Sequence, residues 1–324
     1  MPDIGIVGVF IEPMVNLLRY TCDNDPSSSE SNDVRTDIAW GLSYLSDGDE
    51  DRIQMVMSSG VVPLCMRIIE ECPDNKSLLV PTVRCIGNFV TGSDTQTDAV
   101  LQAGFLRHAQ TLLDHPSKAI KKDTCWIISN IAAGNKKQIT ALFEDFLPHG
   151  LVSKFIQLAS ESSWEVRKEA VWAICNILTC GTDRHMIYLV QEHCIKVLCD
   201  VLQVQQDVRL LLTVMDAFEK LLEADEEHER NYQLLMDECG GVDHLENLQE
   251  HPNNDIYEKA SALILRYFGS DENEDQNLAP ATEADGTFSF GFPSKQLFPE
   301  GNEVGSPKAG GFNFGGSTNF NMAV

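Results

Sequence analysis

Apolar positions along this 324-residue chain recur at helical spacing. Val152, Phe155, Ile156 and Leu158 share one stripe, and Val171, Ile174, Ile177 and Leu178 share another, as residues three and four apart do on a helix. Alternating strand patterns are nearly absent. The stripes are punctuated regularly. Segments centred on Gly60, Gly104, Gly150, His193 and Gly241 each close one apolar helix and open the next, at spacings of 44, 46, 43 and 48 residues. Glycine suits such a corner because it accepts positive φ and lets backbones approach closely. His193 departs from the glycine pattern, so a looser corner is expected there. Each unit therefore reads as a short helix followed by two longer ones, with five or six units between about residues 10 and 268. Ile11–Tyr20 reads as the middle helix of a unit whose first helix is missing or degenerate. Asp23–Asp33 reads as a mobile loop by composition. Pro81 is expected at a helix start, where its missing N–H is tolerated.

A second marker has the same period. Trp40-Gly-Leu-Ser-Tyr44, Arg84-Cys-Ile-Gly-Asn88, Trp126-Ile-Ile-Ser-Asn130 and Trp172-Ala-Ile-Cys-Asn176 begin 44, 42 and 46 residues apart. Periods in this range point to stacked helical repeats of the HEAT or armadillo kind. Residues four apart face one way, so stacking lines up Trp, Arg and Asn along one groove.

That ladder suits an extended peptide. Asn side chains can donate to and accept from a peptide backbone, fixing direction and register. Parallel Trp faces form slots for long aliphatic stems, and indole attracts an ammonium or guanidinium. Asp37, Asp123 and Glu169 each stand three residues before a Trp of the ladder, on the same helix face, where they would select Lys or Arg. Asp47 and Asp94 follow Tyr44 and Asn88 in loops. The competing reading makes each Trp a core residue and each acid a helix N-terminal charge. Four rungs in register with acids at three matching places favour the groove.

Charge points the same way. There are 49 acids and 24 bases, a net charge of −25. Residues 270–324 carry eight acids and two lysines, or −6, which leaves −19 on the body. Such a surface disfavours nucleic acid, whose phosphates demand the opposite sign, and attracts basic partners. Six of the ten cysteines, Cys65, Cys85, Cys125, Cys175, Cys194 and Cys199, sit in apolar helical runs. They read as reduced, buried thiols of a cytosolic or nuclear protein. No secretory signal and no apolar run near 18 residues is present, so no membrane association is expected. GxSxG, HExxH, phosphate-cradling glycine loops and zinc-type cysteine spacings are missing. No catalytic residue, metal or cofactor is expected. The rival to the peptide groove is an armadillo scaffold for non-basic partners, which would need no acids beside the Trp residues.

The order of the rungs carries a resemblance. Asp37-Ile-Ala-Trp-Gly-Leu-Ser-Tyr-Leu-Ser-Asp-Gly, Arg84-Cys-Ile-Gly-Asn-Phe-Val-Thr-Gly, Asp123-Thr-Cys-Trp-Ile-Ile-Ser-Asn-Ile-Ala-Ala-Gly and Glu169-Ala-Val-Trp-Ala-Ile-Cys-Asn are similar to consecutive armadillo repeats five to eight of importin-α. The likeness covers roughly residues 10–268. It implies an all-α, right-handed armadillo-repeat solenoid over residues 1–268, with an incomplete first repeat. Residues 269–324 would follow as an acidic, Gly/Phe-containing disordered tail. That family binds basic nuclear localisation signals. Carried over by the resemblance, Trp126 and Trp172 would flank basic stems at the family's minor site. Asn88, Asn130 and Asn176 would hold the signal's backbone. Val90, Thr91, Asp94, Asp123 and Glu169 would line specificity pockets. Arg84 would interrupt the Trp ladder. Asp37, Trp40 and Tyr44 would form only the far edge of the major site.

The resemblance further implies residence in cytoplasm and nucleus. Its partners would be cargo signal peptides and, through the last repeat near His251–Ala260, the family's export receptor, though a polar solenoid cap accounts for that segment equally. The Arg/Lys-rich segment that recruits importin-β and the early Trp/Asn repeats are not found in the sequence, so importin-β binding would need such a segment upstream. Phe288-Ser-Phe-Gly-Phe292 and Gly311-Phe-Asn-Phe-Gly315 look like Phe-Gly spacers, though a plain disordered tail accounts for them equally.

Overall fold

The computed structural model describes residues 4–24, 28–143, 150–204, 207–269, 281–282 and 288–289. Its contacts divide the chain into residues 1–269 and residues 270–324. The described residues of the first unit form helices joined by turns and loops. It opens with α1 (Ile4–Asn24) and α2 (Ser29–Leu45), followed by helix triplets. These are α3 (Glu50–Ser58), α4 (Val61–Glu71) and α5 (Lys76–Phe89); α6 (Asp94–Gln102), α7 (Phe105–Asp114) and α8 (Lys118–Ala132); and α9 (Lys136–Ala141), α10 (Leu151–Glu161) and α11 (Trp164–Cys180). Two more follow: α12 (Asp183–Gln191), α13 (Cys194–Leu202) and α14 (Val208–His228); then α15 (Tyr232–Glu238), α16 (Gly241–Leu248) and α17 (Asn254–Leu263). A π-helical turn, Ile264–Phe268, extends α17.

Like packs on like. The third helices α2, α5, α8, α11, α14 and α17 touch in sequence, and so do the second helices α1, α4, α7, α10, α13 and α16. One continuous apolar core runs between the rows, with Phe89, Phe105, Phe155 and Phe218 fully enclosed. Each repeat thus buries its apolar face on its neighbours, as a solenoid requires. The fully buried Arg35 ties α2 to α1 by donating to the Thr21 carbonyl at 3.0 Å.

The corners carry the expected backbone. Gly60, Gly104 and Gly240 are left-handed at φ 78°, 92° and 74°. The fifth corner residue is Gly240, one before the glycine singled out in the sequence. His193 adopts the same conformation, φ 66° and ψ 31°, so that corner is not looser; a side chain occupies the place of a glycine at some steric cost.

Two local expectations need correction. Pro81 lies inside α5 rather than at its start, because Asn75 caps the helix by accepting from the Leu78 N–H. Ser29–Asp33 belong to α2 rather than to a loop, since Ser28 supplies an N-cap and Glu30 an acid in the first turn.

The first helices carry a row of capping boxes that also joins repeats. Gln96 Oε1 accepts from the Ser93 N–H at 3.0 Å while its Nε2 donates to Glu50 O at 3.0 Å in the preceding repeat. Gln138 does the same with the Asn135 N–H (3.1 Å) and Asp94 O (2.9 Å). His185 takes the corresponding place in the next repeat, its Nδ1 accepting from the Thr182 N–H at 3.2 Å.

All ten cysteines are free, and seven are buried. No single helix among the described residues is long and apolar enough to cross a membrane. In the second unit, Ala281–Thr282 pair antiparallel with Phe288–Ser289. The disorder expected after residue 268 otherwise falls outside the described residues, apart from Gly269.

Candidate functional site

The ladder residues sit on the third-helix row because each phrase lies in the middle or last half of such a helix. Trp126, Ser129 and Asn130 of α8 and Lys168, Glu169, Trp172 and Asn176 of α11 line one pocket of about 330 Å³. Asp207 and Arg209, at the start of α14, close its third side. Five sequence-predicted residues therefore meet here: Trp126, Asn130, Glu169, Trp172 and Asn176.

Both Trp side chains are half-buried. Trp126 rests on α5 at Gly87, where a methyl group would overlap the indole ring. The glycine of the phrase Arg84-Cys-Ile-Gly-Asn88 thus has a packing role that its sequence position alone could have suggested, since the other phrases carry Ser or Cys there.

Arg84 covers the adjoining surface of Trp126. Its guanidinium carbon lies 5.3 Å from the indole centroid, a cation–π contact of about 0.5–1 kcal/mol. The same guanidinium donates to Asp123 at 2.8 Å. Asp123 is 3% exposed in its side chain and Arg84 40%. Burial pushes the Asp123 carboxyl above the ordinary carboxylate value, outweighing the opposing pull of Arg84 and Lys122.

Glu169 differs. No basic side chain lies within ion-pair distance of it among the described residues, although it lines the same pocket as the two indoles. Burial raises its carboxyl too, opposed by Lys122 and Lys168 and reinforced by Asp123. Lys168 instead pairs with Asp207, the residue that caps α14. A cation entering beside Glu169 would gain about 4 kcal/mol of gross Coulomb energy at 4 Å and an effective dielectric constant near 20, before desolvation.

The Asn residues are not equivalent. Asn88 is buried and its Nδ2 donates to Ser43 O at 2.7 Å and Ser46 Oγ at 3.1 Å. Asn176 Nδ2 donates to Ser129 O at 2.8 Å. Both bonds tie one third helix to the one before it. Asn130 Nδ2 is buried with no partner among the described residues. Its unmatched amide lines the pocket, where a peptide carbonyl could satisfy it.

The remaining predicted residues lie outside this pocket. Val90 is in the core, 4% exposed. Thr91 is exposed and donates to Asn88 O at 2.8 Å. Asp94 is exposed at the start of α6 and accepts from Asn135 Nδ2 at 3.0 Å. On α2, Trp40 stacks on Tyr44 with centroids 5.8 Å apart; both are exposed, as is Asp37. Sequence reasoning missed Ser129, Lys168, Asp207 and Arg209 as lining residues, because two of them come from the next repeat.

Known proteins fit this architecture. Residues 93–133 match the armadillo/beta-catenin-like repeat, and residues 230–281 match the atypical Arm repeat. A designed armadillo repeat protein in complex with the peptide (KR)4 superposes with a TM-score of 0.64 at 26% identity, over 78% of this chain and 98% of that one. A second designed armadillo repeat protein gives 0.65 at 25% identity, over 78% and 97%. Fold and repeat register together define an armadillo-repeat protein. Importin subunit alpha-4 of Arabidopsis thaliana is 38% identical over 311 residues, covering 93% of this chain and 53% of the relative. Importin subunit alpha-1b of Oryza sativa subsp. japonica is 36% identical over 295 residues, covering 89% and 52%. The chain is a homologue of the importin alpha subunits, and it spans about half the length of the curated relatives it matches.

Proposed function

We propose that this chain is an adaptor of nuclear import that binds basic nuclear localisation signals between Trp126 and Trp172. One observation carries the reading: among the described residues Glu169 has no ion pair, and it lines a pocket with two indoles and two Asn side chains. A lysine or arginine stem slides between the rings, its charge meets Glu169, and Asn130 and Asn176 hold the peptide backbone. Arg84 already occupies the surface of Trp126 and the carboxylate of Asp123, so the signal's cation enters on the Trp172 side. The naming of the relatives as importin alpha subunits supports the adaptor role. The designed armadillo protein described with a (KR)4 peptide supports a basic ligand. The same role brings residence in cytoplasm and nucleus, return through an export receptor, and no catalysis. Partnership with importin-β requires an Arg/Lys-rich segment, which these residues do not supply.

The test is fluorescence anisotropy of a labelled Lys-Lys-Lys-Arg-Lys peptide at rising salt. Binding that weakens steeply with salt is expected, because a Debye length near 10 Å at 0.1 M screens a half-buried acid in an open groove. No binding at low salt, or binding indifferent to salt, overturns this reading in favour of a scaffold for non-basic partners.

A further inference from the structure

A cavity lies away from the Trp slot, among the last helices. It holds about 700 Å³, within the range of ligand-binding clefts. The end of α14, α15, the start of α16 and the π-helical turn enclose it. Its apolar lining is Leu222, Leu234, Val242 and Phe268; its polar lining includes Asp225, Glu226, Glu229, Asp237 and Arg266.

Three observations point to an absent ligand group. Tyr267 is 8% exposed and lines the cavity, yet its hydroxyl has no hydrogen-bond partner among the described residues. Asp225 lines the same cavity; its Oδ2 accepts from the Gln233 N–H at 2.8 Å, but its buried Oδ1 has no such partner. An orphaned buried polar atom costs about 1–3 kcal/mol, so two on residues lining the same cavity call for a ligand group. The backbone beside them is strained as well. Glu229 and Asn231, neither of them glycine, both stand at positive φ, 51° and 63°. Such residues and π-turns cluster at sites of function.

Charge selects the ligand. Arg266, the cavity's own cation, is engaged: it sits 4.6 Å from the Tyr267 ring centre and pairs with Glu226 at 3.1 Å. Asp225, Glu229 and Asp237 have no ion pair among the described residues. We infer that this cavity is a second binding site, taking an arginine side chain of a partner protein with an adjacent apolar residue. A guanidinium offers several donors in one plane, which suits separate acceptors on Asp225 and Tyr267 better than a single ammonium does. The apolar neighbour packs on Leu222, Leu234 and Val242; Leu234 is now more than half exposed.

The experiment uses the full chain carrying Glu169→Lys, which on the proposed reading weakens the Trp slot. The probe is a fluorescent Gly-Leu-Arg-Leu-Gly peptide, with its citrulline counterpart as the uncharged isostere. The arginine peptide is expected to bind this variant and the citrulline peptide at least about fivefold more weakly, a difference of about 1 kcal/mol. Asp225→Asn and Tyr267→Phe should each weaken the arginine peptide by a similar factor. Glu229→Gln, at the rim, should weaken it less and checks that loss is not a folding failure. Equal binding of the two peptides, no binding to the Glu169→Lys chain, or indifference to both Asp225→Asn and Tyr267→Phe overturns the inference. Asp225 and Tyr267 do not line the Trp slot, so the effect of their variants does not depend on the nuclear-signal reading.

Discussion

Arg84 lies across the indole of Trp126, 5.3 Å from its centre, and pairs with Asp123 from the same position. The chain thus places a cation of its own on the rung beside the open slot. Removing it by Arg84→Ala orphans a buried carboxylate. The expected loss is about 1–2 kcal/mol, below that of a fully buried pair because Arg84 is partly exposed. Urea denaturation of the single variants and of Arg84→Ala/Asp123→Asn checks this. The double variant should be less destabilised than the two single losses combined, and strict additivity would exclude the pairing.

Gly87→Ala should act on the slot from behind. The added methyl group collides with the Trp126 ring, which must leave its seat on α5. Overpacking of this kind costs about 1–3 kcal/mol. Peptide affinity and the Trp emission spectrum should change together. A Gly87→Ala chain with wild-type affinity would mean that Trp126 does not form the binding wall.

The Asn rungs should separate in their effects. Asn176→Ala loses the bond to Ser129 O and should cost about 1 kcal/mol of stability. Asn130→Ala removes an amide nitrogen that has no partner among the described residues, so its stability cost should be smaller. Asn130→Ala should nonetheless weaken basic peptides of different sequence alike. Loss confined to one sequence would show that it reads side chains instead of backbone.

Charge position should matter more than charge sum. Glu169→Lys is expected to weaken a Lys-Arg peptide by about tenfold or more, while Asp285→Lys, the same change in net charge, alters it less than about twofold. Equal effects in an anisotropy titration would assign the binding to the overall field of the protein.

Acid should move stability and affinity in opposite senses at Glu169. Its carboxyl is raised in the folded chain, so the folded state holds the proton more tightly than the unfolded one. The resulting penalty is present above the folded pKa and relieved as pH falls toward the ordinary carboxylate value. Glu169→Gln should therefore be more stable than wild type at neutral pH, with an advantage that shrinks on acidification. Peptide affinity of wild type should decline over the same window, as the slot loses its charge. A stability difference independent of pH would contradict the burial of this carboxylate.

The repeat and its corners were legible because their chemistry is local. A left-handed residue selects glycine, and a residue four ahead shares a face, so Gly60, Gly104 and the Trp-Asn phrases declare themselves within a few residues. His193 broke the glycine rule without changing the corner's left-handed backbone. The interior of the slot was only half legible. The bonds from Arg84 to Asp123, Lys168 to Asp207 and Asn176 to Ser129 join different repeats, and no periodicity reveals which cation claims which acid. Val90 entered as a pocket residue through the family resemblance, and at the end of α5 its side chain lies in the core.

Lys259 carries a consequence of its own. From α17 it reaches back to Asp216 and Glu219 of α14, at 2.7 Å each, and neutralises the acids on the helix that follows the slot. Arg84 does the same on the helix row's other side. These two cations act as end stops on a short track. On the proposed reading, a basic segment seated at Glu169 is expected to dissociate in a single phase, because the acids of α8 and α14 on either side already hold Arg84 and Lys259.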